Sequence, residues 1–253
     1  MAPIQWWKER WGCEAMRFTE ERDDRYHRLA AQITSERMTD QLRRRGRAAL
    51  FALIVMGAML WIDGGVATAE SSFAARDVVT RGAIELGGAV GYAQATTAIG
   101  AGTSTNRSAV FVLPRIGIVL TDPLGSGWYQ GNIELLVEPV FARFTRPFAA
   151  EGAGGSFVVK YNFLSFGRWM PFWDAGAGIF WTNLAPRISE QSTQFEFGLE
   201  TGPGVHYFVT DRISWTMGVR LHHISNANLG ERNTGINGVL PYVGVSLFLP
   251  SRF

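Results

Sequence analysis

From residue 82 onward, the chain alternates apolar side chains with polar or small ones. In the segment 128–143, Tyr129, Ile133, Leu135, Val137 and Phe141 alternate with Gln130, Asn132, Glu134 and Glu138. An extended strand projects successive side chains to opposite faces, so such a segment has one apolar and one polar face. The period of two predicts strands rather than helices.

Eight strands of this kind are predicted, joined alternately by short turns and longer polar loops. They span 82–95, 107–120, 128–143, 155–166, 171–182, 193–209, 213–226 and 239–250. In a membrane barrel the residues facing lipid must be apolar, while those facing the lumen are polar. The predicted fold is therefore all-β: an eight-stranded antiparallel transmembrane β-barrel of the outer-membrane type.

The predicted lumen carries charges of both signs. Its members are Glu85, Arg115, Glu134, Glu138, Lys160, Asp174, Glu196, Glu200 and Arg220. Eight strands enclose only enough room for side chains, so these groups should neutralise one another in a filled interior. His206 is also predicted to face the lumen.

Connection lengths predict the orientation, because outer-membrane barrels keep short turns in the periplasm and long loops outside. The short turns are 122–125 and 210–212, and the long loops are 96–106, 144–154, 183–192 and 227–238. Five aromatic residues are predicted to face outward as interfacial girdles: Tyr129, Trp173, Trp181, Trp215 and Tyr242.

The N-terminal part has the pattern of an export signal. Four arginines between residues 43 and 47 precede an apolar run, 48–62, and a small-residue site that ends at Ala69. The run is shorter than the roughly 20 residues of a spanning helix, so 43–69 is predicted to be a cleaved signal peptide. The preceding 1–42 is predicted to be a mis-assigned start before Met38, with a functional cytoplasmic extension as the alternative.

Composition then limits the function classes. From Glu70 onward the chain has 13 Lys+Arg and 13 Asp+Glu, so the basic pI of about 8.9 comes from the leader. A neutral mature chain gives no support to nucleic-acid binding. The single cysteine, Cys13, lies in the leader, which leaves no disulfide or thiolate metal site in the barrel.

The chemistry is concentrated near the C-terminus, where His223 and Ser225 stand two residues apart at the end of the seventh strand. Residues i and i+2 of a strand share a face at about 6.6–7 Å, within reach of an imidazole that takes a serine proton. The apolar stripe from Ile213 to Leu221 continues into this pair. The pair should therefore lie on the lipid-facing side, which makes His223, rather than His222, the candidate base.

Two motifs, His223-Ile224-Ser225-Asn226-Ala227 and Asn233-Thr234-Gly235-Ile236-Asn237, resemble the lipid A 3-O-deacylase (PagL) family of outer-membrane barrels. The resemblance implies hydrolysis of the ester-linked 3-O-acyl chain of lipid A, with lipopolysaccharide as substrate in the outer membrane of a Gram-negative bacterium. It implies Ser225 as nucleophile and His223 as general base. It also implies that Asn226 and the amides around Ala227 shape the oxyanion hole, and that Asn233 and Gly235 form the following loop.

One position departs from the family pattern. Asn237 stands where described members carry a glutamate as third member of the triad. An asparagine can accept the imidazole N–H and hold its tautomer, but it has no charge to stabilise the imidazolium. Asn237 is preferred as the third member, and Glu231, in the same loop, is the alternative acid.

Because of this departure, the alternative function is a catalytically silent outer-membrane barrel with a structural or loop-mediated binding role. In that interpretation the histidine and serine are ordinary interfacial polar residues. The esterase needs no cofactor and no metal, since water is its second substrate. A homodimer is one arrangement that the sequence leaves open beside the single barrel.

Overall fold

The computed structural model describes residues 73–98 and 104–251. The predicted signal peptide and N-terminal extension lie outside these ranges. The strands are β1 (Ile84–Ala95), β2 (Ser108–Val119), β3 (Gly131–Arg146), β4 (Ala150–Phe163), β5 (Trp169–Thr182), β6 (Phe195–Phe208), β7 (Ile213–Ser225) and β8 (Ile236–Leu249). Short 3₁₀ helices span Ala75–Asp77 and Gly127–Tyr129. In the described ranges, no helix is long and apolar enough to cross a membrane.

The eight strands form one closed antiparallel barrel in which each strand pairs with its neighbours in sequence. Closure is made by β1 and β8, whose register runs from Ile84 opposite Leu249 to Ala95 opposite Gly238. The predicted fold class is therefore confirmed. We call the rim formed by L1 (96–98 and 104–107), L2 (147–149), L3 (183–194) and L4 (226–235) the loop end, and the opposite rim the turn end.

The two faces of the wall have the predicted chemistry. Large apolar side chains such as Val137, Phe157 and Leu199 are exposed on the outer face. The charged residues predicted for the lumen are buried except Glu200, which is partly exposed, and His206 is fully buried with them. An outward apolar face and an inward polar face identify the outer surface as the one that meets lipid.

Two ion networks occupy the middle of the lumen. Lys160 contacts Glu85 and lies 3.2 Å from Glu134 Oε2. Arg220 binds Glu138 at 2.6 Å, Asp174 at 2.8 Å and Glu200 at 3.1 Å. Each cation therefore holds two or more carboxylates away from water, and the carboxylates outnumber the cations in both networks.

Apolar clusters lie above and below these networks. At the turn end, the segment that precedes β1 packs Ala75, Val78 and Val79 against Phe208 and Phe248. At the loop end, Leu184 and Ile188 of L3 belong to a cluster that also includes Phe111, Phe180 and Leu240. Apolar side chains therefore occupy the lumen on both sides of the networks.

One predicted loop is wrong. The structure reduces 144–154 to the three-residue L2, because β3 continues to Arg146 and β4 begins at Ala150. Glycines in the first part of β4 allow close packing against β5. A Cβ on Gly152 would lie 2.2 Å from Phe180 Cζ, and one on Gly154 would lie 2.1 Å from Ile179 O.

Tyr242 is also misplaced in the sequence prediction. It is only 3% exposed and faces the lumen. Its ring centroid lies 5.5 Å from Arg115 Cζ and 5.2 Å from Arg220 Cζ. The alternation of β8, with Val243 and Val245 outward, places this ring inside, where its face attracts the two guanidinium groups.

Candidate active site

The candidate base and nucleophile lie at the loop end of β7. Along this strand, Ile213, Trp215, Val219 and Leu221 are exposed on the outer face, while Ser214, Thr216 and Arg220 are buried. By this alternation His223 and Ser225 continue the outer row, and both are half-buried. Both residues therefore lie at the edge of the apolar outer surface, and His222 lies on the lumen side.

Strand register sets the neighbours of the imidazole. His223 is directly opposite Asn237 of β8 and Leu199 of β6, while Ser225 is opposite Phe197. The Nδ1 of His223 lies 2.7 Å from Asn237 Oδ1. An amide oxygen can only accept, so this bond requires the hydrogen on Nδ1 and leaves the Nε2 lone pair ready for a proton.

Asn237 is itself held from L1. Its backbone oxygen accepts the Thr96 N–H at 2.9 Å. L4 is shorter than predicted, since β8 begins at Ile236, and this places Asn237 inside the strand. A residue in a paired strand is placed more firmly than one in a loop, which supports a fixed orientation of the ring.

The chain makes a tight turn immediately after the serine. Leu229 N–H donates to Asn226 O at 2.9 Å, and the central residues Ala227 and Asn228 have φ of 51° and 63°. Two left-handed central residues define a type I′ turn. This conformation costs a residue with a Cβ roughly 1–2 kcal/mol. Ala227 therefore adopts it because the surroundings impose it, as at many functional sites.

Asparagine side chains impose the turn. Asn226 N–H donates to Asn233 Oδ1 at 3.0 Å, and Asn228 N–H donates to Asn226 Oδ1 at 3.1 Å. Asn226 is fully buried. With these amides occupied, Ala227 N–H is the remaining donor of the turn, one residue beyond Asn226 from the serine.

Gly235 lies against the imidazole. It has φ of 79°, and a Cβ built on it would lie 2.6 Å from His223 Cε1. Glycine thus meets two needs at once, the left-handed backbone and the close approach. The alternative acid, Glu231, is exposed on L4. The position beside Nδ1 is occupied by Asn237.

L4 is held in place by contacts with L3 that the sequence did not predict. Gln191 of L3 forms an isolated bridge with Asn233, and Glu190 O accepts Thr234 N–H at 3.0 Å. Gln191 Nε2 also reaches Ile224 O at 3.4 Å. These partners are separated by dozens of residues in sequence, and no local motif marks them.

Glu190 also ties L3 to L1. Its Oε2 is 2.7 Å from Arg107 Nη2, and its Oε1 accepts the Ser104 N–H at 3.2 Å. Burial alone would raise the pKa of Glu190, but the hydrogen bond and charge of Arg107 outweigh it and hold the pKa below its ordinary value. A lowered folded-state pKa means that this tie is present above the unfolded pKa and is lost as the pH falls through the folded one.

Fold and site together define an outer-membrane β-barrel with a histidine, serine and asparagine cluster at its loop end. A family model described as lipid A 3-O-deacylase (PagL) matches residues 115–246, which is more than half of the chain. The chain therefore belongs to the lipid A 3-O-deacylase (PagL) family.

Solved outer-membrane barrels are also similar. The crystal structure of the outer membrane enzyme PagL has a TM-score of 0.46 and 18% identity over 63% of this chain and 97% of that one. Neisserial surface protein A (NspA) has a TM-score of 0.43 and 17% identity over 66% and 99%. The N-terminal barrel domain of Pseudomonas aeruginosa OprF has a TM-score of 0.41 and 14% identity over 67% and 98%. No curated protein gives a significant sequence match.

Proposed function

We propose that this protein is a lipid A 3-O-deacylase that hydrolyses the ester-linked 3-O-acyl chain from the outer leaflet of the outer membrane. The observation that carries the proposal is the bond between His223 Nδ1 and Asn237 Oδ1, with Ser225 on the same outward face. Membership of the family supplies the substrate class.

In the proposed reaction, Ser225 Oγ attacks the ester carbonyl while His223 Nε2 takes the serine proton. The oxyanion accepts the Ala227 N–H. The imidazolium then protonates the sugar oxygen as the C–O bond breaks, which leaves an acyl-enzyme. Water, deprotonated by His223, releases the 3-hydroxy fatty acid and restores Ser225.

The surroundings of the site fit a lipid substrate. Leu199, beside His223, is 55% exposed, and Ile179, beyond Phe197 in the neighbouring strand, is 54% exposed. An acyl chain of a lipid in the same leaflet would lie on these side chains, while the polar L4 faces the headgroup. This orientation places the loop end outside the cell.

The proposal can be tested by measuring the mass of lipid A extracted from a Gram-negative host that makes the 3-O-acylated form. Expression of the wild-type chain from Met38 is expected to remove one 3-hydroxyacyl chain, seen as a mass loss in the extracted lipid A. Unchanged lipid A, with the barrel shown to be folded in the outer membrane, would contradict the proposal and favour the silent barrel.

Substitutions of Asn237 test whether its side chain holds the imidazole of His223 in the required tautomer. Asn237→Leu keeps the size but removes the acceptor, so His223 can take the wrong tautomer, and kcat is expected to fall about 100-fold or more. Asn237→Glu keeps an acceptor and adds charge beside the imidazolium, so kcat should equal or exceed that of wild type. The exposed Asn106→Leu is the control, and equal kcat in both leucine variants would remove Asn237 from the mechanism.

A substitution of Gly235 tests whether its close packing against the His223 ring is needed. Gly235→Ala is expected to displace His223 and lower kcat about 10-fold to 100-fold, since a displacement of about 1 Å costs that much. Gly127→Ala is the matched control. Gly127 has a φ of 63° and no atom within 4 Å of an added Cβ. An alanine there therefore adds the same backbone strain without a contact with the site. Similar kcat values in the two variants would show that the contact with His223 is unimportant.

A further inference from the structure

Arg232 makes the most extensive contacts between L3 and L4. Its Nη2 lies within hydrogen-bond distance of three backbone oxygens of L3, those of Pro186 at 3.0 Å, Ile188 at 3.3 Å and Gln191 at 3.2 Å. Three carbonyl oxygens that point to one place create a negative electrostatic potential, which the guanidinium cation neutralises. The guanidinium therefore fixes the course of L3 over this stretch.

The backbone of the same residue is bound to the turn after the serine. Arg232 O accepts the Asn226 Nδ2 hydrogen at 2.8 Å, and Arg232 N–H donates to Ser192 Oγ at 3.1 Å. Asn226 is the residue next to Ser225. The side chain of Arg232 thus binds L3, and its main chain binds the turn that follows the proposed nucleophile.

The next residues along L4 extend this connection to the base. Asn233 Oδ1 accepts the Asn226 N–H at 3.0 Å, and Gly235 packs against the ring of His223. L4 therefore touches both ends of the serine and histidine pair, and the contacts of Arg232 hold L4 from outside.

We infer that Arg232 is a positioning residue for the proposed deacylation: it clamps L4 to L3 and so holds Asn226 and the Ala227 amide in place beside Ser225. The inference rests on the proposed function. Arg232 is exposed and makes its contacts to backbone oxygens, so it acts through Asn226 rather than on the reacting atoms. Its loss should slow the chemical step more than it weakens substrate binding.

The experiment measures kcat and KM for fatty-acid release from lipopolysaccharide in mixed micelles, using the folded full barrel. Arg232→Met is expected to lower kcat about 10-fold to 100-fold, with KM within about threefold of wild type. Arg232→Lys should recover part of the loss, because it restores the charge without the planar fork.

Arg187→Met is the matched control. Arg187 also lies in L3, where its Nε donates to Asn183 O at 3.1 Å and its Cζ lies 4.1 Å from the Phe148 ring centroid. These contacts stay outside L4, so kcat should remain within about twofold of wild type. Equal losses in the two methionine variants, or a loss that appears in KM alone, would overturn the inference.

Hydrogen exchange separates the clamp from catalysis. In Arg232→Met, the amides of Asn226 and Thr234 should exchange faster while those of β1–β6 stay protected. Unchanged exchange at these two amides would overturn the clamp. A folded wild-type barrel that releases no fatty acid would instead refute the proposed function and the catalytic role of Arg232 with it, whereas exchange would still report on the clamp.

Discussion

Replacing Ser225 with alanine is expected to lower the rate of deacylation by about 10⁴-fold to 10⁶-fold, the range seen when a nucleophilic serine is removed. Without Oγ no acyl-enzyme can form, and His223 has no hydroxyl to activate. Ser225 is half-buried on the outer face, and its strand is held by backbone pairing with β6. The barrel should therefore fold and insert as before, and the measurement is the rate of 3-hydroxy fatty acid release from purified lipopolysaccharide.

The exposed Ser126→Ala, in the connection between β2 and β3, provides a control that removes the same hydroxyl far from L4. Its rate should match that of wild type. If Ser225→Ala kept more than about a tenth of the activity, His223 would have to activate water directly, and the assignment of Ser225 as nucleophile would be wrong.

Alternation alone was enough to predict the barrel, because a membrane wall imposes the period of two on every strand. The same rule placed Glu85, Lys160 and Arg220 in the lumen, where the structure buries them. It also placed His223 and Ser225 on one face. These predictions depend only on local sequence and on the strand geometry that any sheet shares.

Two predicted features failed for different reasons. The start of β4 was missed, because the Phe180 ring against which Gly152 packs belongs to the next strand. Tyr242 was predicted to be a girdle residue, but its alternation with the outward Val243 places its ring in the lumen, beside Arg115 and Arg220. Local pattern does not report which ring or cation a neighbouring strand brings.

In the candidate active site, too, local sequence predicted some features, and contacts between distant residues determined others. The spacing of His223 and Ser225 indicated chemistry, and the family resemblance added Asn237. The bond between the ring and Asn237 depends on the register of β7 and β8. The L3 residues that hold L4 carried no recognisable motif. Loop contacts of this kind depend on the whole barrel, which sets the distance between the two loops.

Arg220→Met is expected to destabilise the barrel by about 3–5 kcal/mol, the cost of removing one partner from a buried ion network. Arg220 is fully buried and binds Glu138, Asp174 and Glu200. Without it, Glu138 keeps its contact with Arg115, whose Nη2 lies 2.8 Å from Glu138 Oε2, and no other ion pair among the described residues reaches Asp174 or Glu200. Thermal unfolding of the refolded barrel in detergent should show a clear fall in the midpoint, with the exposed Arg212→Met as control.

A second variant separates loss of charge balance from loss of packing. Asp174 Oδ2 contacts Arg220 Nη2 at 2.8 Å, so Asp174→Asn in the Arg220→Met background removes one of the uncompensated charges while keeping the side-chain volume. The double variant should be more stable than Arg220→Met alone, since the penalty comes from desolvated charge. If the two variants unfold at the same temperature, the guanidinium would matter for filling the lumen beside Tyr242, and the ion network would not be what stabilises the middle of the barrel.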